Sequence, residues 1–125
     1  MVAICVGSNI NPHANISKGE VHLAKQFKIF AVSKMVVTKP VGFAQQADFI
    51  NGAFLIETEL SITKLREALC EIENICGRVR TENKNGPRTL DLDVVVFNAK
   101  IIDDDFYKYD FVKDRILAIM PGLSY

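Results

Sequence analysis

The fold is decided by the stretch Gly86-Pro87-Arg88-Thr89-Leu90-Asp91-Leu92-Asp93-Val94-Val95-Val96-Phe97. Glycine and proline favour a turn, and the β-branched run that follows is typical of a strand. Because side chains alternate along a strand, Asp91 and Asp93 are expected on one face. The opposite face then carries apolar core residues, namely Leu90, Leu92, Val94 and Val96.

The two aspartates of this strand have two interpretations. Carboxylates about 7 Å apart on a rigid element could hold a divalent cation through oxygen ligands. A pair of this kind is also common at a solvated strand end. The preceding segment favours the metal site, since it carries four cations opposed only by Glu82: Arg78, Arg80, Lys84 and Arg88. Cations, carboxylates and metal occur together in phosphoryl transfer.

The composition indicates one globular domain spanning residues 1–125. The chain has 125 residues, of which 49% are hydrophobic, and its 15 basic and 15 acidic residues give no net charge that would favour a bulk polyanion partner. The three cysteines, Cys5, Cys70 and Cys76, are odd in number and lack metal-ligand spacing. With no segment of transmembrane length and no secretion signal, we expect a cytoplasmic protein in a reducing compartment.

The order of predicted elements is strand, helix, strand, strand, helix, strand. The strands are expected over residues 2–6, 29–37, 49–58 and 90–97, and the helices after Asn11 and after Ser61. This βαββαβ order predicts an α+β, ferredoxin-like sandwich with a mostly antiparallel sheet and two helices packed on one face. Residues 103–105 are expected to form a solvated turn, and residues 110–115 a final helical turn.

The third strand and the loop before it offer a possible ligand site. Phe49 and Asn51 share a face, and a ring beside an amide suits a flat ligand with a polar edge. An aromatic core residue with an incidental asparagine is the alternative. The loop over residues 38–47 is long enough to close over a ligand, although an open hairpin end is equally compatible with its length.

The stretch from Gly86 to Asp93 resembles the motif of the 6-hydroxymethyl-7,8-dihydropterin pyrophosphokinase family, which acts in folate biosynthesis. Three further segments resemble the same family: Gly7-Ser8-Asn9, Thr38-Lys39-Pro40-Val41-Gly42 with Asp48-Phe49-Ile50-Asn51, and Glu73 followed by Gly77-Arg78-Val79-Arg80. The resemblance extends from residue 2 to about residue 98 and is highly specific over that range. It weakens towards the C-terminal end.

This resemblance implies transfer of a pyrophosphoryl group from ATP to the pterin hydroxymethyl, with release of AMP and with two magnesium ions. Asp91 and Asp93 would hold the metals, and Arg78 and Arg88 would complete the catalytic set. The implied partners are the small molecules ATP and hydroxymethyldihydropterin. Neither a nucleic acid nor a membrane is implied, and we expect a monomer.

The remaining site residues are implied in the same way. The ATP-binding set would comprise Glu73, Arg78, Arg80, Val94, Lys108, Tyr109 and Arg115. The pterin-binding set would comprise Thr38, Val41, Phe49, Asn51, Asp91 and Leu117. The loop over residues 39–47 would close over the substrates and exclude water.

The C-terminal end departs from the family's pattern. Lys108 stands where the family usually has a histidine, Asn85 where many members have an aromatic, and Leu117 where the second aromatic of the pterin sandwich is expected. Leu117→Phe should therefore tighten pterin binding. Two functions follow: an active short pyrophosphokinase, which the retained metal and arginine residues favour, or a pterin- or nucleotide-binding module with little turnover. A nucleic-acid-binding domain is disfavoured, because the sheet lacks paired exposed aromatics.

Overall fold

One antiparallel sheet with helices on both faces forms the molecule. The computed structural model describes residues 1–40, 45–78 and 88–125. None of the helices in these ranges is long and apolar enough to cross a bilayer. The elements are β1 (Val2–Ser8), α1 (Pro12–Gln26), β2 (Lys28–Val32), β3 (Val36–Thr38), β4 (Phe49–Glu57), α2 (Ile62–Ile75), β5 (Asp91–Phe97), β6 (Lys100–Ile101), α3 (Asp105–Lys108) and α4 (Asp110–Ile119). The predicted α+β class is confirmed.

Strand β1 lies at the centre of the sheet, as its continuous apolar run predicts. The strand order is β2-β4-β1-β5-β6, β3 also pairs with β4, and every described pairing is antiparallel. Gly7 pairs with Asn51 of β4 on one side and with Asp91 of β5 on the other. The residues predicted to bind metal and ligand therefore meet at one end of the sheet.

Helices α1 and α2 cover the first face of the sheet. The Ser61 hydroxyl caps α2 by accepting a hydrogen bond of 3.2 Å from the Lys64 amide, as predicted. Leu65, Leu69 and Ile72 form the buried stripe of α2. Each such side chain contributes about 1.5–3 kcal/mol on burial, so this stripe fixes the helix and the residues at its C-terminal end.

Helix α4 covers the second face of the sheet, which the sequence pattern did not predict. The expected helical turn at residues 110–115 continues to Ile119 and buries Val112, Ile116 and Ile119. These side chains pack in one cluster with Ala3 and Ala53 of the sheet. The expectation of helices on one face is therefore incomplete, and the protein has three layers.

Strand β5 contains a bulge that changes the predicted faces. Ile4 pairs with Val94, but Ala3 pairs with Val96, so Val95 is an additional residue in the ladder. Val94 packs in the core under α1 and α2, whereas Val96 packs under α4. The prediction that Val96 shares a face with Val94 is wrong for this reason.

The predicted strand at residues 29–37 is two strands, β2 and β3, which pair with different parts of β4. The Ser33 hydroxyl between them accepts a hydrogen bond of 2.8 Å from the Ala53 amide. Met35 then lies directly over Gly52, where an added Cβ would be only 2.1 Å from the sulfur. The glycine in the middle of β4 is required by this close contact.

Candidate functional site

The centre of the site is an ion-paired cluster around Asp91. Arg78 Nη1 lies 2.8 Å from Asp91 Oδ1, and Arg88 Nη1 lies 2.9 Å from Asp91 Oδ2. Arg78 Nη1 also donates to Glu73 Oε2 at 2.9 Å. Arg78, Arg88, Glu73 and Asp91 thus form one partly buried network between α2 and β5.

Glu73 anchors this network to α2. Its side chain is buried, and Oε2 also accepts a hydrogen bond of 2.7 Å from the Leu92 amide. A carboxylate in the last turns of a helix is disfavoured by the helix dipole by a few tenths of a kcal/mol, on the order of 0.3–1. Charge-assisted bonds to Arg78 and to the Leu92 amide outweigh that cost.

The same network keeps Arg78 charged. Burial by itself lowers the pKa of the Arg78 guanidinium, but the negative charges of Asp91 and Glu73 outweigh burial and raise that pKa. Arg78 therefore presents a fixed positive charge between α2 and β5.

Asp93 lies two residues further along β5. Its side chain is exposed at the mouth of the site. Surrounding protein nevertheless desolvates the carboxyl, and this desolvation, followed by the charge and the hydrogen bond of Asp91, raises the pKa of Asp93 to about 8. Asp103 and Glu73 add smaller contributions of the same sign. The excess of negative charge here favours a bound cation.

The chemistry of Asp91 and Asp93 is compatible with binding of a divalent cation. Within residues 1–40, 45–78 and 88–125, no group of three or more histidine, cysteine or acidic side chains has the arrangement of a metal site. Mg²⁺ is usually held by one or two carboxylates together with water and substrate phosphates, rather than by an all-protein cage. Two neighbouring carboxylates are therefore a suitable donor set for it.

Two cavities open on either side of this centre. The α2-side cavity is lined by Arg66, Leu69, Cys70, Glu73, Arg78, Asp91, Leu92, Asp93, Val94 and Asp103. The α4-side cavity is lined by Cys5, Val6, Gly7, Thr38, Lys39, Phe49, Asn51, Gly52, Arg88, Asp91, Asp93, Val95, Asp103, Asp105, Tyr109, Phe111, Val112 and Arg115. Asp91, Asp93 and Asp103 border both cavities, so the two cavities share these three carboxylates.

The residues expected to bind ATP are divided by the structure. Glu73, Arg78 and Val94 line the α2-side cavity. Tyr109 and Arg115 instead line the α4-side cavity, where Arg115 Nη1 donates to the Lys34 carbonyl at 3.1 Å. Lys108 is exposed on α3 and lines neither cavity. Arg80 lies outside the described residues.

Three residues expected to bind the pterin, besides Asp91, come together in the α4-side cavity. Asn51 donates a hydrogen bond from Nδ2 to the Thr38 hydroxyl, and Phe49 lies two residues before it on β4. Gly7 makes room for this amide, since a Cβ at Gly7 would lie 2.8 Å from Asn51 Oδ1. Val41 lies outside the described residues.

Leu117, also expected at the pterin, does not line the cavity. It packs against the apolar cluster between α4 and the sheet, as Tyr109 and Phe111 also do. Phe111 and Arg115, four residues apart on α4, face the cavity together, whereas Leu117 lies on another side of the helix. Phe111 stacks on Tyr109 with ring centroids 5.6 Å apart. If the helix predicted from residue 110 had been continued, its i, i+4 spacing would have placed Phe111 and Arg115 on one face, and Phe111 could have been identified as a cavity residue.

The acidic residues at 103–105 were predicted to form a solvated turn, but two of them also line a cavity. Asp103 accepts a hydrogen bond of 2.9 Å from the Asp105 amide, and both side chains line the α4-side cavity. Desolvation and the charge of Asp103 raise the pKa of Asp105. These carboxylates extend the negative region around Asp91 and Asp93, and no local pattern pointed to that contact.

Asn9 joins three segments of the site. Its Oδ1 accepts a hydrogen bond of 2.8 Å from the Arg88 amide, and its Nδ2 donates to Gln46 Oε1 at 2.8 Å and to the Ala47 carbonyl at 3.1 Å. The side chain is 7% exposed. Asn9 therefore positions the backbone of Arg88 against the residues that precede β4. A turn sequence predicts polarity at this place but not its distant partners.

The fold and the shared carboxylates define a ferredoxin-like α+β protein with an arginine–carboxylate centre between two ligand cavities. Residues 3–121 match the family described as 7,8-dihydro-6-hydroxymethylpterin-pyrophosphokinase (HPPK), and the chain belongs to that family. The resemblance found in the sequence is thereby confirmed.

Curated relatives agree with this membership. A 2-amino-4-hydroxy-6-hydroxymethyldihydropteridine pyrophosphokinase of Campylobacter jejuni is 35% identical over 97% of this chain and 80% of its own length. The protein of the same name from Bacillus subtilis is 39% identical over 94% of this chain and 73% of its own length. A folic acid synthesis protein of Dictyostelium discoideum is 35% identical over 97% of this chain, which corresponds to 19% of that longer protein.

Proposed function

We propose that this chain transfers pyrophosphate from ATP to 6-hydroxymethyl-7,8-dihydropterin, giving AMP and the pterin diphosphate in folate biosynthesis. Membership of the family and the names of its relatives support this activity. The observation that carries the proposal is that Asp91 and Asp93 line both cavities. Such an arrangement suits a group that passes from a donor on one side to an acceptor on the other.

The proposed reaction is a displacement at the β-phosphorus of ATP. The hydroxymethyl oxygen of the pterin forms a bond to that phosphorus and loses its proton to water. The bond between the β-phosphorus and the oxygen bridging it to the α-phosphate breaks, and AMP leaves. Asp91 and Asp93 would hold two Mg²⁺ ions, which supply charge neutralisation and orientation to the phosphates.

Arg78 and Arg88 are proposed to bind the transferring phosphates. Arg78 lines the α2-side cavity and Arg88 the α4-side cavity, and each contacts a different oxygen of Asp91. The two cations thus flank the carboxylate from opposite sides. A guanidinium binds phosphate oxygens through paired N–H groups, so both can stabilise charge that develops during transfer.

The α4-side cavity is proposed to bind the pterin. Phe49 and Phe111 supply aromatic faces, and Asn51, oriented by Thr38, supplies an amide for the polar edge of the ring. Phe111 replaces Leu117 in this set, because only Phe111 lines the cavity.

Incubation of the protein with ATP, magnesium and the hydroxymethyldihydropterin tests the proposal. We expect AMP and the pterin diphosphate in equal amounts, with no AMP when the pterin is omitted. ADP as the product would indicate transfer of a single phosphoryl group. Pterin binding by calorimetry without AMP formation would select the alternative of a binding module.

A further inference from the structure

Arg66 lines the α2-side cavity and has no role in the proposed chemistry. It shares one face of α2 with Cys70 and Glu73, since the three lie at positions i, i+4 and i+7, and all three border the cavity. Arg66 is exposed. Across the part of the chain that the structure describes, Arg66 forms no ion pair.

The charges in the α2-side cavity distinguish Arg66 from Arg78. Arg78 already contacts the carboxylates of Glu73 and Asp91. Asp93 and Asp103 add negative charge to the same lining. Among the described lining residues, Arg66 is thus the cation that a ligand can engage without displacing a protein carboxylate.

The position of Arg66 is remote from the phosphate-binding centre. Seven residues of helix separate it from Glu73, which corresponds to about 10 Å along the axis of α2. Most of the cavity surface is polar, and Leu69, Leu92 and Val94 supply its smaller apolar part. Apolar side chains suit the face of a flat base better than a hydrated polyphosphate.

We propose that the Arg66 guanidinium packs on the purine base of the nucleotide substrate. This inference rests on the proposed function, in which the α2-side cavity binds ATP with its phosphates at Asp91 and Asp93. A guanidinium is planar and weakly hydrated, so it stacks on a ring face while its edge remains in water. Arg66 is then a residue that determines nucleotide affinity and base preference.

Calorimetry with two magnesium complexes tests this role: MgATP, and magnesium tripolyphosphate, which lacks the base. Arg66→Ala should weaken MgATP binding about two- to fivefold and leave tripolyphosphate binding unchanged. Arg66→Lys should recover only part of the loss, because an ammonium lacks the planar face. Lys64→Ala is the matched control, since it removes an exposed cation of α2 that lines neither cavity.

Each other result overturns the inference in a recognisable way. An equal loss for both complexes would place Arg66 at the phosphates. No loss in Arg66→Ala, with the unmodified protein binding MgATP, would refute the base contact and leave the proposed function intact. No binding of MgATP by the unmodified protein would refute the proposed function, and the base contact with it.

In steady-state assays of Arg66→Ala we expect a higher KM for ATP with kcat unchanged.

Discussion

The two cavities beside β5 are built from the chain in different ways. The α2-side cavity takes most of its lining from residues 66–78 and 91–94, in α2 and β5 or directly beside them. The α4-side cavity draws on β1, β3, β4, β5 and the C-terminal segment 103–115. The difference teaches that the residues of α2 and β5 could be assigned from their own periodicity, whereas the lining that comes from α4 depends on how this helix packs on the sheet.

Asp93→Ala should have the largest effect, because Asp93 belongs to both cavities. Loss of one of the two carboxylates proposed to hold the metal is expected to reduce AMP formation by about a thousandfold or more, since metal coordination contributes several kcal/mol to transition-state stabilisation. Asp114→Ala removes an exposed carboxylate of α4 and serves as the control. Substantial AMP formation by Asp93→Ala would show that the two cavities do not share a metal site.

Asn9→Ala should affect both the centre and the segment before β4. The change leaves the partly buried Arg88 amide without its side-chain acceptor and is expected to lower the free energy of unfolding by about 1–3 kcal/mol. Urea denaturation measures that loss, and the AMP assay under folded conditions should show reduced kcat. Asn15→Ala, which removes an exposed hydrogen bond to the Ile10 carbonyl, should change both quantities much less.

Phe111→Ala should affect the α4-side cavity and also the stability of the fold, because Phe111 packs against the apolar cluster as well as lining the cavity. Loss of one aromatic face is expected to weaken pterin binding about tenfold while MgATP affinity stays the same. Leu117→Ala is the comparison, because it should lower stability without selective loss of pterin binding. For the same reason Leu117→Phe should no longer be expected to tighten pterin binding. Tighter binding by that variant would return Leu117 to the pterin site.

Cysteine labelling should give the smallest and most direct contrast between the cavities. MgATP is expected to slow alkylation of Cys70 severalfold, because Cys70 lines the α2-side cavity, and the pterin alone should not. Cys76 lines neither cavity and is the internal control.

Burial and the charge of Asp93 raise the pKa of the Cys5 thiol, so Cys5 should react slowly throughout. Mass spectrometry of labelled peptides follows each residue. Equal protection of Cys70 by both ligands would contradict the separation of donor and acceptor sites.

Much of the fold could be predicted from periodicity and capping. Three features depend on residues close in sequence: the strand β1, the Ser61 cap of α2, and the position of Asp91 and Asp93 on the same side of β5. The bulge at Val95, the break between β2 and β3, and the docking of α4 could not be predicted in this way. Each depends on packing between segments that are distant in sequence. Met35, for example, packs against Gly52, where there is no side chain to exclude it.

The sequence by itself determined the family, the α+β class and the arginine–carboxylate centre. The motif from Gly86 to Asp93, with Glu73 and Arg78, carried the resemblance to the family and the arginine–carboxylate centre that the resemblance implies. Turn chemistry, strand alternation and helical spacing predicted the α+β class, because they act over a few residues. Tertiary structure alone decided that Phe111 rather than Leu117 borders the α4-side cavity, that Tyr109 and Arg115 face the same cavity, and that Asn9 positions Arg88. The rotation of α4 on the sheet is set by the burial of Val112, Ile116 and Ile119, and this burial determines which side chains face the α4-side cavity.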